Sequence, residues 1–373
     1  MKNTTSLTIL CLLIPALFLG ACERSNETVE TNVSTPAPMV ESVTEDERLA
    51  TFFDEIFERD VNASPMFQAY QGRKTEDYGR WDDFSDEYAQ FVNQQTAADL
   101  ERLRNEFDYD LLSESAKMSY RIFEYNQQRD LRNFEWRFHN YVISPMNDIA
   151  SDLPTFLQNI HKIENRQDAE AYISRLNGIP EVMQQVVEDL RRAEAIGVIP
   201  PMMVYPKVLP GAENVLKGAP FEEAAEDGIL LADFRSKLDS IDLDQEDKDI
   251  LLNDAANALS GPFRNGYQLL IAELIRLQDI ADNDHGVWGL PDGEAFYANR
   301  IQNWTTVSRT PDELHELGLA EVARIRAEMQ QIMDEIGFEG DLAAFFEYVR
   351  TNPENYYENT DEGRQEYIRD ATA

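Results

Sequence analysis

Apolar residues along most of this chain recur at alternating steps of three and four, the period at which a helix turns one face toward a core. The first such stripe is Leu49, Phe52, Phe53 and Ile56. It follows Thr44-Glu45-Asp46-Glu47, a capping box in which the Thr hydroxyl accepts from an orphan backbone N–H and the Glu carboxylate accepts from the cap's own N–H. After a loop at Ser64-Pro65, the spacing predicts a helix from about Ser85 through Tyr88, Phe91, Val92, Leu100 and Leu103 to Phe107. Another is predicted from about Ser113 through Ala116, Tyr120, Phe123, Leu131 and Phe134 to Phe138. Such stripes pack cores far more often than they hold cofactors.

Proline and glycine punctuate the middle. Helices are expected over Pro154 to Ile160, Asp168 to Leu176 and Pro180 to Ile196, with Gly178 and Gly197 as stops. Ile199-Pro200-Pro201-Met202 and Tyr205-Pro206 predict a non-helical crossing over 198–210. A long helical stretch from about Asp244 is expected to break at Gly261-Pro262 and resume from Phe263 to Ile280. Turn residues then predict a second non-helical crossing over 282–293. Thr310-Pro311-Asp312-Glu313 opens the best-defined helix, running through Leu314, Leu317, Val322, Ile325, Met329 and Ile332 to Gly337. Asp341 to Val349 forms the last clear helix. Strand signals are few, so the fold class expected is mainly α, a multi-helix body with few or no strands.

The first residues break this pattern. Leu7 to Leu19 is apolar apart from Thr8, follows Lys2, and is shorter than the roughly 20 residues a membrane span needs. It ends in Leu19-Gly20-Ala21-Cys22, which resembles a bacterial lipobox: a large apolar residue, two small ones, then the cysteine whose thiolate takes the lipid. Residues 1–21 are thus expected to be a lipoprotein signal peptide and Cys22 the lipidated first residue. Residues 22–43 are polar, carry Pro36 and Pro38 and have no periodicity, so they read as a disordered tether spanning about 25 Å root-mean-square. Residues 44–373 form the helical domain. Glu23 after Cys22, by resemblance to Gram-negative lipoproteins, favours the outer membrane facing the periplasm. The membrane is thereby a partner through the lipid anchor.

Cysteine use agrees. The chain has two cysteines, Cys11 and Cys22. Cys11 leaves with the signal, so neither a disulfide nor a cysteine-rich metal site is open to the mature chain. The 373 residues carry 33 Lys and Arg against 70 Asp and Glu, a net charge of −37. A surface this acidic repels phosphate backbones and excludes nucleic acid as a partner.

Catalytic signatures are mostly missing. There is no Walker A loop, no Gly-x-Gly-x-x-Gly and no Gly-x-Ser-x-Gly elbow. The four histidines are His139, His161, His285 and His315. His315-Glu316-Leu317-Gly318-Leu319 starts the His-Glu-x-x-His zinc pattern but has Leu at its last position. No catalytic or metal-binding residue is assigned. Glu222-Glu223 and Glu226-Asp227 read as a solvated helix face. His285, in a glycine-flanked turn, is a candidate for lining a cleft.

Gly289-Leu290-Pro291-Asp292-Gly293-Glu294-Ala295-Phe296-Tyr297, then Thr305-Thr306, Thr310 to Gly318 and Ala320 to Ile325, resemble the bacterial domain-of-unknown-function 885 family. The order of Ser64-Pro65, Gly72, Tyr141 to Pro145 and the proline-rich run after Gly197 agrees with it. The resemblance implies a mostly helical, gluzincin-like zinc peptidase of the cell envelope, with zinc as cofactor of the full-length family and peptide as substrate. The family's His-Glu-x-x-Pro-Gly-His-His element lies C-terminal to the blocks found here. The chain is therefore expected to be the N-terminal part of such a region, without zinc or activity of its own. The same resemblance makes Leu290, Pro291, Gly293 and Tyr297 cleft-lining residues. Packing alone offers another use for them: Leu290 and Pro291 close a turn, Gly293 takes a positive φ and Tyr297 fills core. A non-catalytic helical lipoprotein that binds peptides or an envelope protein is the alternative function.

Overall fold

A computed structural model of the chain describes residues 43–224, 226–283 and 286–373. The signal, Cys22 and the tether up to residue 42 lie outside them, as does His285. The body from Thr44 to Ala373 is mainly α, and among the described residues only isolated bridges stand in for strands.

The centre of the body is α6 (Arg166–Ala195), which buries Tyr172, Leu176, Ile179, Met183, Val187 and Leu190 along one stripe. Around it pack α5 (Ile149–Asn159), α7 (Tyr205–Asn214), α8 (Ile229–Asp239), α9 (Gln245–Ala258) and α10 (Arg264–Ile280). A smaller core joins α1 (Glu45–Ala63), α3 (Asp86–Glu106) and α4 (Glu114–Phe134) through Leu49, Phe52, Ile56, Leu103 and Tyr120. The capping boxes form at both predicted places: Glu47 N donates to Thr44 Oγ1 at 3.2 Å, and Glu313 N to Thr310 Oγ1 at 3.2 Å. Each contributes about 1 kcal/mol. The Thr310 cap opens α12 (Pro311–Glu335), which is followed by α13 (Leu342–Thr351) and α14 (Asp361–Thr372).

Between the two cores, the segment after α2 (Pro65–Tyr70) is clipped to α6 by Arg175, a fully buried guanidinium. It donates to Tyr78 O at 2.8 Å and Pro65 O at 3.3 Å and lies over the rings of Phe156 and Trp81 at 4.5 and 5.1 Å. Burial without a carboxylate partner pulls its pKa down to about 10.

Three local expectations need correction and one is refined. Gly178 does not stop a helix: α6 runs through Gly178 and Pro180, because both sit where neighbours come close. A Cβ on Gly178 would meet Trp81 Cδ1 at 3.1 Å, and one on Gly266 of α10 would meet Ile179 Cγ2 at 2.9 Å. Burial of Leu176, Ile179 and Val182 on either side outweighs the local propensity. Gly261-Pro262 interrupts the helical stretch as expected, but by a π turn rather than a loop: α9 ends at Ala258 and α10 begins at Arg264. Leu259–Phe263 forms a π turn between α9 and α10, a wider turn that tolerates the missing proline N–H. The crossing at 198–210 ends at Val204, since Tyr205 and Pro206 occupy the first turn of α7, where no N–H is required. Glu222, Glu223, Glu226 and Asp227 lie on a turn closed by Ala219 N to Glu226 O at 2.9 Å and Gly228 N to Ala219 O at 2.7 Å, not on a helix.

Candidate functional site

Three connecting segments meet at one junction: the connection from α4 to α5, residues 197–204, and residues 282–283 with 286–292. Backbone and ring contacts fix them together. Met202 N donates to Asp282 O at 2.8 Å. His139 Nε2 donates to Pro291 O at 3.1 Å, across 152 positions of sequence. A Cβ on Gly197, whose φ is 84°, would touch Pro291 Cγ at 3.2 Å. The ring of Phe296, on α11 (Gly293–Thr305), lies 5.2 Å from His139 and 5.8 Å from Trp136. Asn133 Nδ2 donates to Asn303 Oδ1 at 2.9 Å, tying α4 to α11.

Left-handed backbone and unpaired polar atoms occur at this junction and at the ends of α11. The three non-glycine residues with positive φ among those described are Tyr141 at 38°, Asp292 at 50° and Thr306 at 61°. Thr306 is β-branched, so its left-handed backbone is costly. His139 Nδ1, Asp148 Oδ1 and the Tyr205 hydroxyl are buried without a hydrogen-bond partner. Asp148 Oδ2 accepts from Ser151 Oγ at 2.6 Å, which leaves Oδ1 bare. With Nε2 given to a carbonyl, Nδ1 of His139 is the ring atom left without a partner. Burial raises the Tyr205 phenol well above its ordinary range, so it stays protonated. Beyond α7, Glu273 of α10 is 4% exposed and bridges Arg191 and Arg276 at 2.9 and 2.7 Å. Burial opposes its ionisation, but hydrogen bonds from Arg276 and Arg191 outweigh it and hold the carboxyl below its ordinary value.

The proposed cleft residues divide. Leu290 and Pro291 are half-buried in the junction. Gly293 is buried, and its φ is not positive. A Cβ there would meet Val287 O at 1.9 Å, so close approach requires the glycine, while Asp292 carries the positive φ. Tyr297 does not fill core: it is 44% exposed, and Phe296 beside it is the buried ring. Trp288 and Trp304 are 81% and 75% exposed, and the Arg300 guanidinium lies over the Trp304 ring at 5.5 Å. Tyr297 and Trp304 stand seven residues apart on one face of α11. The junction thus offers aromatic surface and hydrogen-bonding groups for recognition.

Among the described residues no group of three or more His, Cys, Asp or Glu could hold a metal. His161 is buried against α6, with Nε2 on Asp168 O at 3.0 Å, and His315 is exposed on α12. A zinc ligand set does not fit these residues. The sequence pointed to the 289–297 block but missed His139 and Trp136 as its supports. The aromatic cluster Trp136-Arg137-Phe138-His139 just past a helix end was the available signal.

Residues 65–373 match the family described as "Bacterial protein of unknown function (DUF885)". No curated protein matches the chain. Among solved structures, it is similar to a "putative lipoprotein" from Colwellia psychrerythraea, with 19% identity and a TM-score of 0.69 over 88% of this chain. It is also similar to a "putative lipoprotein of unknown function" from Shewanella oneidensis, with 14% identity and a TM-score of 0.56 over 80% of this chain. The chain spans 58% and 50% of those two proteins' lengths.

Proposed function

The chain belongs to the DUF885 family of bacterial proteins, and on that footing we propose that it is the lipid-anchored, N-terminal helical part of a zinc-peptidase-like envelope protein, supplying surface that holds peptide. The observation that carries this reading is the junction: the family block at 289–297 meets the 136–148 and 197–204 segments there, under strain and beside exposed aromatics. In this reading residues 1–21 are the signal and 22–43 the tether. Zinc and its His-Glu-x-x-His element belong to polypeptide outside this sequence. No described helix is long and apolar enough to cross a membrane. Both structural neighbours are described as a "putative lipoprotein", which supports a lipid anchor of the cell envelope; in this reading the anchor is Cys22, on the outer membrane facing the periplasm.

Cys22→Ser is expected to abolish incorporation of labelled palmitate and to move the protein from the membrane to the soluble fraction. Label persisting on the variant would overturn the anchor. For the junction, an immobilised chain should retain members of a mixed peptide library, and Tyr297→Ala with Trp288→Ala should lower retention severalfold, because exposed aromatics anchor ligands without supporting the core. A second reading, peptide binding without any catalytic partner, draws on a shallow apolar groove of about 430 Å³ between α1 and α4, lined by Phe53, Ile56, Phe57, Ile122 and Phe123. Retention lost in Phe57→Glu and kept in the junction variant would favour that reading.

A further inference from the structure

From α11 onward the apolar residues turn outward. Among the described residues after 288, Phe296, Ile301 and Met333 are the buried hydrophobics, and the rest are partly or well exposed. Along α12 and its C-cap residue Ile336, at 100° per residue, Leu314, Val322, Ile325, Met329, Ile332 and Ile336 fall within about 100° of one another, the width of a core-facing stripe. Val322, Ile325, Ile332 and Ile336 are 49, 40, 50 and 57% exposed. Gly318 lies at the middle of the stripe, and a Cβ there would meet nothing within 4 Å, leaving room for a neighbour's backbone. α13 buries no residue and α14 buries only Gly363. Three consecutive helices with apolar faces and almost no core are a docking surface.

We propose that this face of α12 to α14 seats a further segment of the same polypeptide, made of amphipathic helices rimmed by Lys and Arg. This rests on the reading of the chain as part of a larger envelope protein. Size favours such an occupant, since three helical faces are more than one partner helix covers. The two solved chains sharing this fold each extend well beyond the matched portion, which is 58% of one and 50% of the other. Charge opposes a second copy: each chain carries −37. Beside the stripe Glu321 and Glu328 pair with Arg324 at 2.8 and 2.7 Å, while Glu335 has Gln331 Nε2 as its partner. The net negative charge repels an anionic lipid surface and complements basic flanks.

The test compares hydrogen exchange over residues 311–373 in the isolated chain and in the full product of the native gene, each with and without Ile325→Glu plus Ile332→Glu. The expected result is a monomeric isolated chain with fast exchange in α12 to α14, a melting temperature unchanged by the double variant, and strong protection in the full product that the double variant removes. Three results would overturn the proposal: a reading frame that stops at Ala373, protection in the isolated monomer equal to that of α6, or a dimer that the double variant dissolves. Full protection in a longer product that lacks His-Glu-x-x-His would uphold the docking and sink the peptidase reading.

Discussion

Lowering the pH from 7 to 4 is expected to cost this protein about 3 kcal/mol of stability through His161 alone. The imidazole is 1% exposed, its ring tilted against Tyr78 at 4.4 Å and edge-on to Tyr172 at 5.2 Å. Nε2 is committed to Asp168 O, and Nδ1 has no partner to stabilise a second proton. Burial therefore pushes its pKa from 6.5 down to about 3, with the charges of Arg175, Lys237 and Lys74 adding to the shift. Between those two values the unfolded chain binds a proton that the native chain does not. The contribution is thus complete above 6.5 and is lost progressively as pH falls toward 3. Urea unfolding at pH 7, 5.5 and 4 checks it against His161→Gln, in which the carboxylates titrate equally. The gap between wild type and variant should move against the wild type by about 3 kcal/mol across that range. Parallel stability curves would contradict the buried, neutral histidine.

Gly266→Val should lower stability by about 3 kcal/mol, the upper end of ordinary overpacking. Gly266 lies in α10 against the middle of α6, where an added Cβ would already stand 2.9 Å from Ile179 Cγ2 and 3.1 Å from the Pro180 backbone. The atoms in the way belong to the most deeply buried part of the body and to a rigid ring, so neither helix can give locally. Separating them would loosen Tyr267, whose hydroxyl donates to Ala150 O at 2.7 Å in the same layer. Gly318→Ala is the control. No neighbour opposes it, and helix propensity should raise stability by up to about 1 kcal/mol. Equal effects of the two substitutions on the urea midpoint would show that α6 and α10 do not cross this closely.

The fold class and most helix starts were legible because caps and stripes are local. Thr44, Ser85, Ser113, Asp244 and Thr310 each accept a hydrogen bond from the first turn of a helix, as their sequence context predicts. The failures share a cause. Gly178 and Pro180 punctuate an isolated peptide, but tertiary contact decides whether a helix continues through them. The short helices α7 and α8 went unseen because Pro206, Pro210 and the acidic run before Gly228 mask their brief apolar faces. The site was half legible. The 289–297 block stood out by resemblance, but the hydrogen bond from His139 to Pro291 spans 152 positions, and no periodicity reports a contact of that kind. Gly293 was singled out for a backbone angle, whereas its role is to let the Val287 carbonyl approach.

The central claim is that these residues present a peptide-holding surface and leave the metal chemistry to other polypeptide. Its most direct test is the zinc content of residues 44–373 after dialysis against micromolar zinc, measured by elemental analysis alongside hydrolysis of a mixed peptide library. His139, His161 and His315 lie on separate elements, and two of them spend a ring nitrogen on a backbone carbonyl. The account predicts far less than one zinc per chain and no hydrolysis. One zinc per chain that survives dialysis, with peptide cleavage that a chelator stops, would contradict it.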